Sequence, residues 1–378
     1  MNTRPVLDPY KQPFALAAAF NADNSFFSVA HELGFKVFRS SSCEPRISRD
    51  LSGGIGCADM VGTTNYIILA GGGKAPHFPS NKIQIWNDQQ QKVVGSLELK
   101  APVLRVRASK EFLIVILPFQ VLVYKMGNPP QKIHFYDTLE NFYGLCSFED
   151  NIVATPAINP GQVRIIRPVD ANNSPRVTFI PAHNTHLRAI ALNKKADMVA
   201  TASEKGTIIR VFAVESGTKI AEYRRGVDEA AIFSLAFSPH DKMLAVTSDK
   251  STVHIFDLPN GVQKAADTDP KWHKYGILSK VPLLPRQFSD TYSSASAHFE
   301  MGDELGGWSP QSKAATAEAL SKWSPERIPT KGLLGWLNDS TLLVIGAGQD
   351  ARWEKFVVGV HETGKKFIQS VAWKNYLD

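Results

Sequence analysis

The chain lacks the features of disulfide-stapled and membrane-spanning proteins. Its three cysteines, Cys43, Cys57 and Cys146, form no CxxC pair, which is typical of reduced thiols in a cytosolic protein. The longest strongly apolar run, Phe112 to Leu117, is far shorter than the ~20 residues of a spanning helix. The N-terminal residues MNTRPVLDPYKQ contain no apolar stretch of a signal peptide. We therefore expect any contact with a membrane to be peripheral.

Composition and charge fit an ordinary globular chain with a weak preference for anions. Hydrophobic residues make up 43% of the 378 residues and charged residues 21%, and the formal net charge is +6. A nucleic-acid-binding surface would require a dense basic stripe. Between residues 183 and 260 acids and bases are roughly balanced, so the positive charge must be concentrated at particular sites.

Short apolar, β-branched runs alternate with turns rich in Gly, Asn, Asp, Ser and Lys, and helical periodicity is scarce before residue 310. One strand of each unit ends on an aromatic residue or its equivalent, which returns about every 38 to 48 residues, the spacing of a four-stranded propeller blade. These strands contain Phe35–Phe38, Ile83–Trp86, Val121–Tyr124, Val163–Ile166, Ile209–Phe212 and Val253–Phe256.

Seven such units fill the chain, at roughly 12–50, 54–100, 102–140, 144–182, 186–225, 230–300 and 332–378. The pattern resembles WD repeats with an eroded Trp-Asp dipeptide, as in Trp86-Asn87 and Phe256-Asp257. It predicts an all-β chain that folds as a single seven-bladed β-propeller of WD-repeat type over residues 1–378. Phe367 to Trp373 is predicted to pair with blade one and close the ring.

Two segments interrupt the repeat. Residues 259–293 form a connection too long for a compact domain, although it carries many apolar residues. The residues alone allow two interpretations of this segment, a flap folded onto the propeller or a disordered loop. Residues 303–331, with two Trp-Ser-Pro triplets, form a second insertion of unassigned role.

The tripeptide Arg224-Arg225-Gly226 is the strongest local signal for chemistry. Guanidinium groups bind phosphate through paired hydrogen bonds. Since successive strand residues point to opposite sides, the two arginines are predicted to serve two separate pockets. The alternative is a pair of surface arginines neutralised by Asp228 and Glu229.

Catalytic motifs are absent. The sequence contains no G-x-S-x-G or H-E-x-x-H, and Gly71–Lys74 lacks the P-loop spacing. An enzyme built on a propeller would need acids or histidines converging near the central channel, and the sequence shows no such set. We predict a protein that is not an enzyme and requires no cofactor and no metal.

The chain resembles the PROPPIN family of phosphoinositide-binding propellers. The resemblance covers nearly its whole length and depends on segments that include Phe20–Asp23, Ala182-His183, Gly206–Phe212, Tyr223–Gly226 and Phe237–Pro239. The family has an aromatic residue or Leu before Arg-Arg-Gly, and this chain has Tyr223 at that position. The resemblance implies peripheral binding to preautophagosomal, endosomal or vacuolar membranes in autophagy and endolysosomal traffic.

The family also implies residues for each role. Phosphatidylinositol 3-phosphate and 3,5-bisphosphate would bind at two sites that flank the arginine pair. The first comprises His183, Ser203, Thr207, Arg210 and Arg224, and the second Arg225, Ser248, Lys250, Thr252 and His254. The long blade-six loop would insert its apolar residues into the bilayer interface, namely Trp272, Tyr275, Ile277, Leu278, Leu283 and Leu284.

Asn21 and Asp23 match a family position for binding an autophagy lipid-transfer protein, although both residue types also stabilise turns. We expect a monomer in solution that binds no nucleic acid. The competing function is a WD-repeat scaffold that binds proteins only.

Overall fold

The computed structural model describes residues 14–168, 175–259, 291–300, 331–348 and 351–377. All regular structure in these residues is β-strand, arranged in seven antiparallel four-stranded sheets of consecutive strands. The predicted seven-bladed all-β propeller is therefore confirmed. Blades one to four contain β1 (Ala15–Phe20), β2 (Phe26–His31), β3 (Gly34–Arg39), β4 (Glu44–Asp50), β5 (Ile55–Met60), β6 (Tyr66–Gly71), β7 (Lys82–Asn87), β8 (Lys92–Glu98), β9 (Arg105–Ala108), β10 (Phe112–Ile116), β11 (Gln120–Lys125), β12 (Gln131–Asp137), β13 (Ser147–Glu149), β14 (Ile152–Pro156), β15 (Gln162–Arg167) and β16 (Arg176–Pro181). Blades five to seven contain β17 (Leu187–Leu192), β18 (Met198–Ser203), β19 (Ile208–Ala213), β20 (Lys219–Arg224), β21 (Ile232–Phe237), β22 (Met243–Ser248), β23 (Thr252–Asp257), β24 (Ala295–His298), β25 (Leu333–Asn338), β26 (Thr341–Ile345), β27 (Arg352–Val360) and β28 (Lys366–Asn375).

The first strand of every blade lines the central axis, and these seven strands contact one another in sequence, with β25 returning to β1. Second and third strands are sandwiched between neighbouring blades, so their sequences are almost continuously apolar, as in the fully buried β10. Fourth strands lie at the rim, where exposed and half-buried residues alternate, as in β8. Burial therefore follows from the position of each strand in its blade.

The recurring aromatic residue ends the apolar part of the third strand and is buried. In several blades the register between the third and fourth strands shifts at this residue, for example at Phe38, Trp86, Tyr124 and Phe212. A bulge adds local twist to the pair. The shift therefore alters which rim residues of the fourth strand lie opposite which residues of the third.

The predicted pairing of Phe367–Trp373 with blade one is wrong, because β28 pairs with β27 at the rim of blade seven. The ring closes through a backbone bridge between Ala15 and Gly348 and through side chains. Tyr376, which follows β28, packs with ring centroids 5.7 Å from Phe27 and 5.4 Å from Phe38. Trp353 Nε1 donates across the same junction to the carbonyl oxygen of Ser40 at 2.9 Å.

The two insertions lie outside the described residues apart from their ends. The part of the chain that the structure describes contains no helix long and apolar enough to cross a membrane.

Candidate functional site

The arginine pair lies at the rim of the propeller, where β20 ends. Arg224 is the last residue of β20 and Arg225 follows it. The backbone N–H of Arg224 donates to Thr291 O at 2.9 Å, whereas that of Arg225 donates to Thr207 O at 2.9 Å. Thr291 lies four residues before β24 of blade six, so the two adjacent amides are fixed by different blades. The pair therefore lies at the junction between blades five and six.

Strand alternation separates the side chains of neighbouring residues in β20. The ring of Tyr223 packs toward blade six, with its centroid 5.0 Å from that of Phe256, and its hydroxyl donates to Asp257 O at 2.6 Å. Since successive residues face opposite sides, Arg224 belongs to the face of blade five that looks toward blade four. The side chain of Arg225, one residue later, lies on the side that faces blade six.

The blade-four side of blade five gathers the first predicted set. Arg224 lies opposite Ile208 in the register, and Glu222, two residues earlier, lies opposite Arg210. Arg210 in turn lies opposite Thr201 of β18. Ser203 and Thr207 flank the turn between β18 and β19, and Ser203 O accepts the N–H of Gly206 at 2.9 Å. Arg210, Ser203 and Arg224 thus share one blade face.

Arg210 and His183 are coupled directly. Arg210 Nη1 donates to Ala182 O at 2.7 Å and lies 3.4 Å from His183 Nδ1. His183 Nε2 lies 3.0 Å from Thr201 Oγ1. A guanidinium only donates, so Nδ1 accepts and Nε2 carries the proton. Burial, reinforced by the charge of Arg210, lowers the pKa of His183 to about 4, and the imidazole is neutral at neutral pH.

Glu222 occupies one edge of the Arg210 guanidinium. Arg210 Nε donates to Glu222 Oε2 at 2.8 Å, and Lys219 Nζ contacts the same oxygen at 2.8 Å. Partial burial would raise the pKa of Glu222, but the hydrogen bonds from Lys219 and Arg210 outweigh it and hold the pKa below its usual value. The carboxylate fixes the orientation of Arg210 while placing a negative charge beside the predicted site.

Arg225 is anchored by backbone carbonyls. Its Nε donates to Gly206 O at 2.8 Å, and its Nη2 donates to Asp228 O. Gly206 has φ +60, and a Cβ there would lie 1.8 Å from Ala230 O, so only glycine fits this turn. Burial lowers the pKa of Arg225. The guanidinium is therefore preorganised.

Blade six supplies the second predicted set on the side that faces Arg225. Ser248 and Thr252 lie opposite each other, with their hydroxyl oxygens 3.5 Å apart. His254 Nδ1 lies 3.2 Å from Ser293 Oγ. Burial and then the charge of Arg225 lower the pKa of His254 to about 4. Lys250 is an exposed turn residue whose N–H faces Ser248 Oγ at 3.4 Å.

Four residues at these two sites were missed from the sequence. Thr201 and Glu222 contact predicted members of the first set, as described above. At the second, exposed His298 lies opposite Thr252 in the register. Both carboxylate oxygens of Asp249 are buried without a hydrogen-bond partner, and burial raises its pKa. The alternation of Ser294–Phe299 was a visible signal for His298, whereas the other three required the strand register.

Asn21 and Asp23 form a turn after β1. Asn21 is buried; its Oδ1 accepts the N–H of Phe26 at 3.0 Å and its Nδ2 donates to Ser25 Oγ at 3.1 Å. Asp23 is exposed and accepts the N–H of Ser25 at 3.0 Å. Both residues have the turn role that the sequence allowed. Only Asp23 presents its side chain to solvent.

The predicted loop residues Trp272, Tyr275, Ile277, Leu278, Leu283 and Leu284 lie outside the described residues. Their segment leaves β23 after Asp257 and returns at Thr291, which bonds Arg224. It therefore begins and ends beside the rim sites. Across the described ranges, no group of three or more His, Cys, Asp or Glu residues is arranged to hold a metal ion.

Comparisons with known proteins identify the family and support the fold of this chain. SVP1-like protein 2 of Emericella nidulans is 46% identical over 325 residues, covering 84% of this chain and 99% of the relative. SVP1-like protein 2 of Neurospora crassa is 36% identical and covers 100% of this chain and 99% of its own length. The solved structure of Kluyveromyces lactis Hsv2 with its complete loop 6CD has the same fold, with a TM-score of 0.76 at 22% identity, covering 96% of this chain and 99% of that one. The PROPPIN family model matches residues 15–302. The chain belongs to the PROPPIN family, the non-catalytic β-propellers that bind phosphoinositides.

Proposed function

We propose that this propeller recruits itself to membranes by binding phosphatidylinositol 3-phosphate and 3,5-bisphosphate at two rim sites, in autophagy and endolysosomal traffic. The observation that carries the proposal is the divergence of Arg224 and Arg225 to opposite sides of one strand end. Each side has its own hydroxyl and imidazole groups. Two weak headgroup contacts on one rigid body combine through effective concentration.

At the first site, Arg210 and Arg224 supply charge and Ser203 and Thr207 supply hydroxyl groups to the phosphates. His183 acts by orientation, because its neutral ring accepts from Arg210 and donates to Thr201. A headgroup phosphate would bind the donors that Glu222 does not occupy. Each basic contact near an anionic leaflet contributes about 1 kcal/mol, so a single site binds weakly.

At the second site, Arg225 faces Ser248, Thr252 and His254, and Lys250 adds a flexible charge at the edge. We include His298 in this set, because its exposed ring lies opposite Thr252. The charge of Asp249 opposes the effect of burial on the pKa of Arg225 but does not cancel it.

Flotation on liposomes that contain phosphatidylinositol 3-phosphate tests the proposal. We expect each single change, Arg224→Thr or Arg225→Thr, to weaken binding about tenfold and the double variant to abolish flotation, because bivalent binding becomes monovalent and then absent. Liposomes that carry the 3,5-bisphosphate or no phosphoinositide complete the series.

Arg164→Ala is the matched control. Arg164 occupies the same position in β15 as Arg210 in β19, and its Nη1 donates to the rim carbonyl of Asp137 at 2.8 Å. Its guanidinium lies over the rings of Tyr136 and Phe179. Flotation should persist in this variant. Equal flotation of wild type and the double variant would instead favour a scaffold that binds proteins only.

We also propose that the turn at Asp23 contacts an autophagy lipid-transfer protein. Since Asn21 is buried in the turn, Asp23→Ala is the sharper variant, and it should reduce pulldown of that partner without lowering the melting temperature. Asn21→Ala is the comparison, because it removes the bonds to Phe26 and Ser25 and should lower stability as well. An unchanged pulldown with Asp23→Ala would refute this assignment.

A further inference from the structure

The first rim site holds a carboxylate beside one of its two arginines. Glu222 of β20 lies opposite Arg210 of β19 in the register, and its side chain is 33% exposed. Its Oε2 accepts from Arg210 Nε and from Lys219 Nζ, both at 2.8 Å. Among the described residues, Glu222 Oε1 and Arg210 Nη2 have no hydrogen-bond partner. A phosphate bound at Arg210 Nη2 would therefore lie next to a carboxylate oxygen that can still accept.

The Glu222 carboxylate distinguishes a hydroxyl group from a phosphate. Partial burial acts to raise its pKa, but the hydrogen bonds from Lys219 and Arg210 hold the pKa below its usual value, so the group is ionised at neutral pH. An ionised carboxylate only accepts hydrogen bonds. A free hydroxyl of the inositol ring can donate to it, whereas a phosphate brings a like charge and further acceptors. The position next to the bound phosphate thus favours a hydroxyl and disfavours a second phosphate.

The chemistry of the inositol ring relates this preference to particular lipids. The groups next to a 3-phosphate are those at positions 2 and 4 of the ring, and position 2 carries a hydroxyl in every phosphoinositide. Phosphatidylinositol 3-phosphate and 3,5-bisphosphate also keep a free 4-hydroxyl, whereas the 3,4-bisphosphate and the 3,4,5-trisphosphate do not. A carboxylate that contacts position 4 beside a bound 3-phosphate would therefore separate the first two lipids from the last two.

The second rim site has a serine at the equivalent position. Arg210 and His254 are each the third residue of the third strand of their blade, and His254 lies opposite the exposed Ser296 of β24. A serine hydroxyl donates as well as accepts, so it does not oppose a phosphate. Asp249 also acts on this site through Arg225, but both of its carboxylate oxygens are buried. The two rim sites therefore differ in the group that faces the ligand beside the bound phosphate.

We propose that Glu222 restricts the first rim site to 3-phosphorylated headgroups with a free 4-hydroxyl, whereas the second rim site, with Ser296, also accepts a 4-phosphate. The inference rests on the proposed binding of phosphoinositides at both sites, and it assigns each site its own range of ligands. Glu222 also orients Arg210, and a role in orientation alone would affect all headgroups alike. The test must therefore compare headgroups.

Single-site proteins separate the two ranges. Arg225→Thr retains the first site and Arg224→Thr retains the second, and each is floated on liposomes that contain equal amounts of phosphatidylinositol 3-phosphate or 3,4-bisphosphate. We expect the first site to prefer the monophosphate by about tenfold or more, the value of a hydrogen bond to a charged group. The second site should bind the 3,4-bisphosphate at least as well as the monophosphate. Calorimetry with inositol 1,3-bisphosphate and 1,3,4-trisphosphate measures the same preferences without a membrane.

Two further substitutions test the residue itself. Glu222→Gln, added to Arg225→Thr, keeps an amide oxygen that can accept from Arg210 and removes the charge, so the preference for the monophosphate should fall to about threefold or less. Ser296→Glu, added to Arg224→Thr, should have the opposite effect and create a preference for the monophosphate at the second site. Glu215→Gln, added to Arg225→Thr, is the matched control. It removes the same charge from an exposed turn of blade five and should leave the preference unchanged.

The outcomes separate this inference from the proposed function. A preference that Glu222→Gln leaves unchanged, or equal preferences at the two single sites, would overturn the assignment. An equal loss of both headgroups in Glu222→Gln would mean that this residue only orients Arg210, and it would overturn the assignment as well. Failure of the wild-type protein to float on any phosphoinositide would instead refute the proposed function itself.

Discussion

Arg210 and Arg164 occupy the same position in their blades but have different neighbours. Both guanidinium groups donate to a rim carbonyl of the preceding blade, Ala182 O and Asp137 O, at 2.7 and 2.8 Å. This bond braces adjacent blades. Arg164 is then covered by two aromatic rings, whereas Arg210 is bordered by His183 and Glu222. The neighbours, and not the arginine alone, distinguish a candidate binding site from a structural contact.

The buried histidines predict how stability depends on pH. Burial lowers the pKa of His31, His183 and His254 to about 4, below the ~6.5 of an unfolded chain. Between these values the unfolded state binds more protons, so the free energy of unfolding falls as pH decreases through 6.5. The slope is at most about 1.4 kcal/mol per pH unit for each histidine. Urea midpoints at pH 7.0 and 5.5, at constant ionic strength, measure it.

His183→Gln/His254→Gln is the control for this slope. Two of the three depressed histidines are removed, so the double variant should depend less on pH over the same interval. Carboxyl groups whose pKa burial raises, such as those of Asp59 and Glu149, are present in both proteins, so the difference between the two slopes reports the imidazoles. An identical slope in wild type and variant would show that these imidazoles do not control the acid response.

The sequence predicted the positions of the strands better than it predicted which strands pair and in which register. The third strands were found because a buried aromatic residue ends each apolar run, and the predicted unit 186–225 encloses β17 through β20. The bulge at Phe212 left no visible signal, so the opposition of Arg210 and Glu222 could not be predicted. The ring-closing strand was misassigned because Phe367–Trp373 alternates like any rim strand. Alternation alone does not identify a pairing partner.

The ends of the blade-six segment determine what its apolar residues can do. Ser294 N donates to Ile255 O at 2.8 Å, and Thr291 O accepts from Arg224, so the segment is tethered beside both rim sites. We predict that replacing Trp272, Leu283 and Leu284 by Ser weakens retention on liposomes about tenfold, because apolar insertion is lost. Binding of a soluble inositol phosphate headgroup should be unchanged. Flotation and calorimetry measure the two properties.

Replacement of the exposed Phe135 by Ser is a suitable control, since this residue lies on the rim of blade three. It should affect neither property. If the triple variant lost headgroup binding and retention equally, the segment would be supporting the fold of the rim sites instead of inserting into the bilayer.

Across the whole molecule, ring closure and lipid binding use opposite parts of each blade. Innermost strands contact one another around the axis, and the candidate headgroup ligands lie at strand ends and turns near the rim. Changes at the rim can therefore alter binding without opening the ring. The junction of blades seven and one differs from the others in being closed by residues from the two ends of the described chain.

Tyr376 and the exposed Trp373 give a matched pair of aromatic residues for testing this junction. Tyr376 is buried between Phe27 and Phe38, and its hydroxyl donates to Gly346 O, whereas Trp373 is 60% exposed beneath Arg352. We expect Tyr376→Ala to lower the free energy of unfolding by about 3–5 kcal/mol through the cavity it leaves. Trp373→Ala should cost less than about 1 kcal/mol. Chemical denaturation measures both, and equal losses would mean that blade seven is held to blade one by its rim and not by this core.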